Sequence, residues 1–517
     1  MRKIRYVMRS LLAASLLLSV LTSAFAQAVV VQQSGQQGDN KGQNLSKIER
    51  KNRAPVAKDV LRVKLPRPIE AKLDNGLTVL ILEDSRFPTV NVQFAINGAG
   101  ALYEPANMPG LANATAQMLR EGTKTRSSKQ IAEEVDRLGA TLGAGSGFGS
   151  IQTNITASGL SDNFDQWFPV AADILMNPTF PAEELAKYKA RLKAQLKQQR
   201  SSPDFLANEQ FARAVYGNHP AANVAATTES VDALTPEALA NWVKARYAPQ
   251  NTILGIAGDV KASELIPRLK QALAGWQKTD AAEVLPQNPT PAAQKKIIVV
   301  NRPDSVQTTM AMGNIAIDRR SPDYPAMVVM DNIIGGGGSA RLFIKLREEQ
   351  GLTYGAYSFF TAVKYPGPWR AGGDFRTDVT EQAMTGFLNE INRIRDEKVP
   401  ADELEENKRS VVASFALSLE QPTQLLSYEI TRRIYGFPDD YWETYPARIM
   451  AVTADDVQRV ARKYINPESL QIVAVGDASK IRTVLEKFGT VTVYDAEGKP
   501  EAAKPAATTN TPTSPGQ

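Results

Sequence analysis

Two stretches lying 218 residues apart read as copies of one another, and this duplication narrows the possible folds more than any other feature. "LTPEALANWVKARYAPQNTILGIAGDV" closes the first half and "VTADDVQRVARKYINPESLQIVAVGDA" closes the second. Thr235 matches Thr453, Pro249 matches Pro467, and Asp259 matches Asp477. Each passage reads as a Thr N-cap, an amphipathic helix, a Pro turn, and a short apolar strand ending at Gly-Asp. A unit repeated in that order is a tandem duplication. Both copies also open with strands. "NGLTVLILED" and "TVNVQFAINGAG" alternate apolar and polar residues after an Asn-Gly turn, and "KKIIVVNRPD" and "QTTMAMGNIAI" take their place in the second half. Long helical patterns at 181–200 and 401–419 follow. Strands first and helices later predict an α+β fold: two homologous tandem domains, each a sheet packed with helices on one face.

The flanking segments differ in composition. "MRKIRYVMRSLLAASLLLSVLTSAFAQ" has four basic residues, an apolar run and Ala24-Phe25-Ala26, which predicts a secretory signal peptide over 1–26, cleaved after Ala26. The apolar run is short for a bilayer span, so the reading is a periplasmic protein with no membrane span after cleavage. Residues 27–65 are polar and Gly/Gln-rich, read as a flexible leader, and 498–517 are Pro/Thr/Ala-rich, read as a disordered tail. Residues 278–294 contain three prolines and read as a linker between domains at 66–277 and 295–497. Cleavage removes Arg2, Lys3, Arg5 and Arg9, taking the net charge from +5 to +1 (5 − 4 = 1). That balance gives no reason to expect nucleic acid as a partner. There is no cysteine and a single histidine, His219, in the turn "YGNHPAA", read as a loop residue. Zinc sites are usually built from thiolate and imidazole, so this scarcity bears directly on metal chemistry.

In "NGAGALYEPANMPGLANATAQMLREGT" a strand runs into Gly98-Ala99-Gly100, then Tyr103-Glu104-Pro105, then a helix from Gly110. This frame resembles the pitrilysin-type (insulinase) zinc metallopeptidases, the inverzincins. Their helix carries H-x-x-E-H: two His at i and i+4 bind zinc, Glu is the general base, and a further acidic ligand lies downstream. In the matching register Asn113 and Gln117 stand at the histidine positions and Ala116 at the Glu position. Gln195, in "KARLKAQLKQQRSSP", stands at the downstream one. The resemblance therefore implies a degenerate zinc site and no cofactor in this chain. Neutral amides are poor zinc ligands, Ala cannot move a proton, and His219 alone cannot assemble a site.

The second half carries "GGGGSARLFIKLREEQGLTYGAYSFF". No Gly-Lys-Ser/Thr follows the glycines, so they are not a phosphate loop and read as a mobile turn. A helix with Leu342, Phe343 and Leu346 on its apolar face comes next, then Gly351 as C-cap and an alternating strand. Arg347 and Tyr354 lie seven residues apart across that junction. Taken alone, they fit an Arg complementing a helix dipole and a packing Tyr in a strand. The resemblance implies more: an Arg–Tyr pair that reaches across to the zinc-bearing domain and binds peptide around the scissile bond. Arg offers a planar fork to carbonyl oxygens, and a phenol can donate to a developing oxyanion.

The resemblance runs from about residue 66 to about 490 and includes "SPDYPAMVVMDNIIGGGGSARL" and "FRTDV" (375–379). In the small bacterial branch, as in mitochondrial processing peptidase, two different chains pair, one with zinc and one without ligands. It implies a non-catalytic subunit of a periplasmic heterodimeric zinc metalloendopeptidase, inactive alone. The partner is then a homologous H-x-x-E-H chain holding the zinc, and the substrates are peptides. Two alternatives stand beside it. One is a peptide-binding or scaffolding protein of the same fold with no proteolytic partner. The other is a self-sufficient zinc peptidase with unfamiliar ligands, for which Asp and Glu alone suit harder cations better.

Overall fold

The computed structural model describes residues 59–281 and 283–501. The expected signal peptide, most of the leader and the end of the tail therefore lie outside the described residues. The duplicated strands build two six-stranded sheets. The first contains β1 (Ile69–Lys72), β2 (Thr78–Glu83), β3 (Thr89–Asn97), β4 (Thr141–Gly145), β5 (Gln152–Leu160) and β6 (Thr252–Gly258), in the order β1-β2-β6-β3-β5-β4. The second contains β7 (Lys296–Asn301), β8 (Gln307–Ile315), β9 (Thr353–Ala362), β10 (Pro366–Arg376), β11 (Gln471–Gly476) and β12 (Val491–Tyr494), in the order β12-β7-β11-β8-β10-β9. The late strand of each half enters at the centre. β6 runs parallel to β2 and antiparallel to β3, and β11 runs parallel to β7 and antiparallel to β8. Both are buried along their whole length, in keeping with the apolar run that follows Thr252 in one and Gln471 in the other.

Helices α1 (Leu111–Met118), α2 (Phe164–Met176), α3 (Ala182–Gln199), α4 (Pro203–Tyr216) and α5 (Pro236–Arg246) belong to the first half. Helices α6 (Tyr324–Gly335), α7 (Ala401–Ser418), α8 (Pro422–Tyr435) and α9 (Ala454–Tyr464) belong to the second. The repeat seen in the sequence is physical. The Thr235 and Thr453 hydroxyls each accept a hydrogen bond from the third helical N–H, of Ala238 and Asp456, at 3.1 Å in both. From there α5 feeds β6 and α9 feeds β11.

Each half's own helices, α4 and α8 apart, cover one face of its sheet, as the strand and helix grouping predicts. The opposite face carries a helix from the other half. Leu206, Phe211 and Val215 of α4 pack on Ile298, Val300 and Val473 of the second sheet. Leu426 and Ile430 of α8 pack on Leu80, Ala95 and Ile253 of the first. Gly255 in β6 makes room for this exchange: a Cβ there would lie 2.8 Å from a Leu426 methyl. Residues 59–501 accordingly fall within one compact unit. The described residues of the 278–294 stretch form no helix or strand, and Glu283 bonds to side chains from both halves, Tyr103 and Lys364.

His219 lies in the turn that the sequence predicts, and it is buried there. This is where the end of α4 meets the second half, and the ring lies 4.7 Å from the Tyr365 ring and 5.8 Å from that of Tyr216. Its Nδ1 accepts from the Ala221 N–H, and burial lowers its basicity.

Candidate functional site

Helix α1 starts at Gly110, whose φ of +95° suits glycine alone without strain. No side chain at that N-cap satisfies the first helical N–H groups. Glu104 does so from six residues back: its carboxylate accepts from Gly110 N at 2.9 Å and Ala112 N at 2.6 Å. Burial pushes the Glu104 carboxyl up to about 7, although both N–H bonds pull the other way.

Beyond this cap, Asn113, Gln117 and Arg120 occupy one face of the helix at i, i+4 and i+7. That face meets β4, the edge strand of the first sheet. Asn113 Nδ2 donates to the Ser146 carbonyl at 2.8 Å, Gln117 Nε2 to that of Ala144 at 2.9 Å, and Arg120 Nη1 to that of Leu142 at 2.8 Å. Three side chains thus satisfy alternate carbonyls along an edge that would otherwise stand open to another strand. Asn113, Gln117 and Gln195 share the wall of one pocket of about 560 Å³ between α1 and α3. Ala116 is fully buried and does not line it.

These donors do not fit zinc. Their amide oxygens are neutral and weak as zinc ligands, and the NH₂ groups of Asn113 and Gln117 are tied to backbone oxygens. Glu121, the acidic residue in the pocket wall, accepts from the Ser128 hydroxyl at 2.7 Å. Among the described residues no group of three His, Cys, Asp or Glu is arranged to hold a metal ion.

The second candidate pair lies in the other half. The expected helix before Gly351 is a short α-turn, Arg341–Phe343, followed by a π-helix, Ile344–Glu349, that carries Arg347. Such i→i+5 segments are rare and concentrate at functional sites. Gly351, at φ +61°, ends the segment as the sequence predicts. Tyr354 is the second residue of β9, the edge strand of the second sheet, and 86 % of it is exposed. The Arg347 guanidinium lies 4.7 Å from the Tyr354 ring centre and 4.7 Å from that of Phe343. Arg347 and Tyr354 are therefore in contact at the surface. Beneath them buried Arg341 grips Glu403 of α7 with a two-pronged fork, both bonds 2.7 Å. Glu104, Arg120 and Arg341 are the residues that motif reasoning passes over. Only the six-residue interval from Glu104 to Gly110 hinted at a role, since the other contacts are distant in sequence.

The duplicated sheets, the helix along the first sheet edge and its side chains define a class: a paired-domain zinc-peptidase fold with no metal-binding set among the described residues. Comparison with known proteins gives the family. Residues 78–229 match the model for "Insulinase (Peptidase family M16)", and residues 233–411 match that for "Peptidase M16 inactive domain". The chain belongs to the M16 peptidase family. It is 25 % identical over 408 residues to the "Non-peptidase homolog YmxG" of Helicobacter pylori, covering 78 % of this chain and 92 % of that one. It is 24 % identical over 417 residues to the "Probable mitochondrial-processing peptidase subunit beta" of Arabidopsis thaliana, covering 78 % and 77 %. The crystal structure of a peptidase M16 inactive domain from Pseudomonas fluorescens superposes with a TM-score of 0.74 at 26 % identity, covering 80 % of this chain and 98 % of that one. Within the family this chain is a non-catalytic homologue of the zinc proteases.

Proposed function

We propose that this chain is the zinc-free, substrate-holding subunit of an exported heterodimeric M16 endopeptidase. One observation carries the reading. Asn113 and Gln117 use their amide groups to fasten α1 to β4, so this helix is a structural part, while half-buried Arg347 and exposed Tyr354 form a preassembled pair. Homologous subunits commonly pair in this family, as in mitochondrial processing peptidase. The partner is a chain with H-x-x-E-H on the equivalent helix, which supplies the metal, the attacking water and the general base. Arg347 offers two N–H groups to a peptide carbonyl and fixes the substrate backbone. The Tyr354 phenol donates to the oxygen on which charge develops during hydrolysis, a contribution of about 10²-fold or more in kcat when such a donor is removed.

The test is reconstitution with the H-x-x-E-H chain that co-purifies from the periplasm. Tyr354→Phe is expected to lower kcat about 10²-fold, and Arg347→Ala to lower kcat/KM by a comparable factor, with pair assembly unchanged. Full activity in both variants removes the role assigned to this pair. Chelator-sensitive cleavage by the purified chain alone overturns the reading of α1.

A further inference from the structure

The second half contains a pocket of about 490 Å³ between α6, α7 and α8, the counterpart of the one between α1 and α3. Arg319, Tyr324, Ser414, Gln424, Thr431 and Trp442 are among its walls. Arg319 is only 8 % exposed, yet among the described residues it has no ion pair with any carboxylate. It is also the one Lys, Arg, Asp or Glu in the pocket wall. Its Nη1 donates to the Tyr441 hydroxyl at 2.9 Å, and the Tyr324 ring centre lies 3.7 Å from the guanidinium carbon. Phe437 and Trp442 stand farther off, at 5.4 and 5.6 Å.

A guanidinium keeps its charge even when buried, and burying it without an anion is costly. Ring faces offset part of that cost but accept few of its five N–H donors. Ser414, exposed, and Gln424 and Thr431, half-buried, add hydroxyl and amide groups to the pocket wall. A planar cation with spare donors, beside hydroxyl and amide groups, fits a carboxylate. The aromatic walls, including Tyr428 and Tyr445, fit the apolar neighbours that a peptide brings with its carboxylate and an inorganic anion does not.

We infer that this pocket is a receptor for a peptide carboxylate, with Arg319 as its anchor. The site rests on the peptide-handling role only for the identity of its ligand. It is assayed on the isolated chain, so its failure is read separately from loss of cleavage by the reconstituted pair.

Isothermal titration of the full exported chain with N-acetylated hexapeptides tests it. One peptide has a free C-terminus, a second is amidated with a single internal Asp, and a third is amidated and uncharged. At least one acid-bearing peptide is expected to bind about tenfold or more tighter than the uncharged one, a preference that falls with added salt. The arm that binds identifies the source as chain terminus or acidic side chain. Ser414→Glu places a carboxylate at the pocket wall without touching Arg319, and should abolish the preference. Ser414→Gln should keep it, and Arg319→Gln should lose it. Should Arg319→Gln fail to fold, the Ser414 pair still decides. Equal affinity for all three peptides, no binding by any, or an intact preference in Ser414→Glu overturns the inference.

Discussion

Glu104 shows how one carboxylate can hold a helix that has no capping side chain of its own. Its two oxygens bond the N–H groups of Gly110 and Ala112 while the group itself is buried. Gln offers a single acceptor oxygen, so Glu104→Gln is expected to cost about 1 kcal/mol, in the range of lost helix caps. The pH dependence has a definite sign. Glu104 titrates at about 7 when folded, against 4.5 as its ordinary value, so the folded protein takes up the proton first. Wild type then gains stability from this group as pH falls from 8 toward 5, and the Gln variant does not. The stability gap between them, from urea unfolding at both pH values, should widen at pH 5. A gap that narrows would mean that the two N–H bonds outweigh burial. Taking the difference removes His219, whose lowered basicity works the opposite way in both proteins, since stability falls as pH drops below about 6.5. The identities at 113, 116 and 117 on α1 and at 195 on α3 carry the reading of a degenerate zinc site. What those side chains do instead was not legible. The partners of Asn113 and Gln117 lie on "TLGAG" and the residue after it, a stretch too small and Gly-rich to announce an edge strand.

At the scale of elements, the signals that could be read were local ones. Thr before an amphipathic run gave α5 and α9, and helical periodicity gave α3 and α7 nearly to the residue. The π-helix under Arg347 carries no such signal, because i→i+4 and i→i+5 bonding use the same residue types. It is held from outside. The Arg341 fork on Glu403 ties the start of this segment to α7, and Arg341 is almost wholly buried. Arg341→Ala would leave the Glu403 carboxylate without its cation. The expected cost is about 3 kcal/mol or somewhat less, because Glu403 is partly exposed and water can replace some of the bonding. The accompanying structural change should be local. Hydrogen exchange should accelerate in 341–354 while β6 and β11 stay protected, and cleavage by the reconstituted pair should fall without a change in α1. Uniform loss of protection would make Arg341 a general core residue rather than the support of the Arg347 segment.

At the scale of the molecule, the exchange of α4 and α8 decides whether the two halves are separate domains or one folding unit. Periodicity showed that both helices have an apolar face, but not which sheet each face covers, because that is set by chain path and not by composition. Phe211 makes the question measurable. It belongs to the first half by sequence, is 3 % exposed, and packs on the second sheet, with the Arg370 guanidinium 5.2 Å from its ring. Phe211→Ala is expected to remove about 3–5 kcal/mol, the range for a buried Phe cut to Ala. Were the halves independent, that loss would fall on the second sheet, and exchange protection of the first would be unchanged. Interlocking predicts something different: α4 and α8 each carry strain from one half into the other, so β6 and β11 should lose protection together in a single transition. Leu426→Ala in α8 attacks the first sheet from the opposite direction and should give the same joint transition. Two separate transitions in either variant would show that the exchanged helices cover the sheets without coupling them.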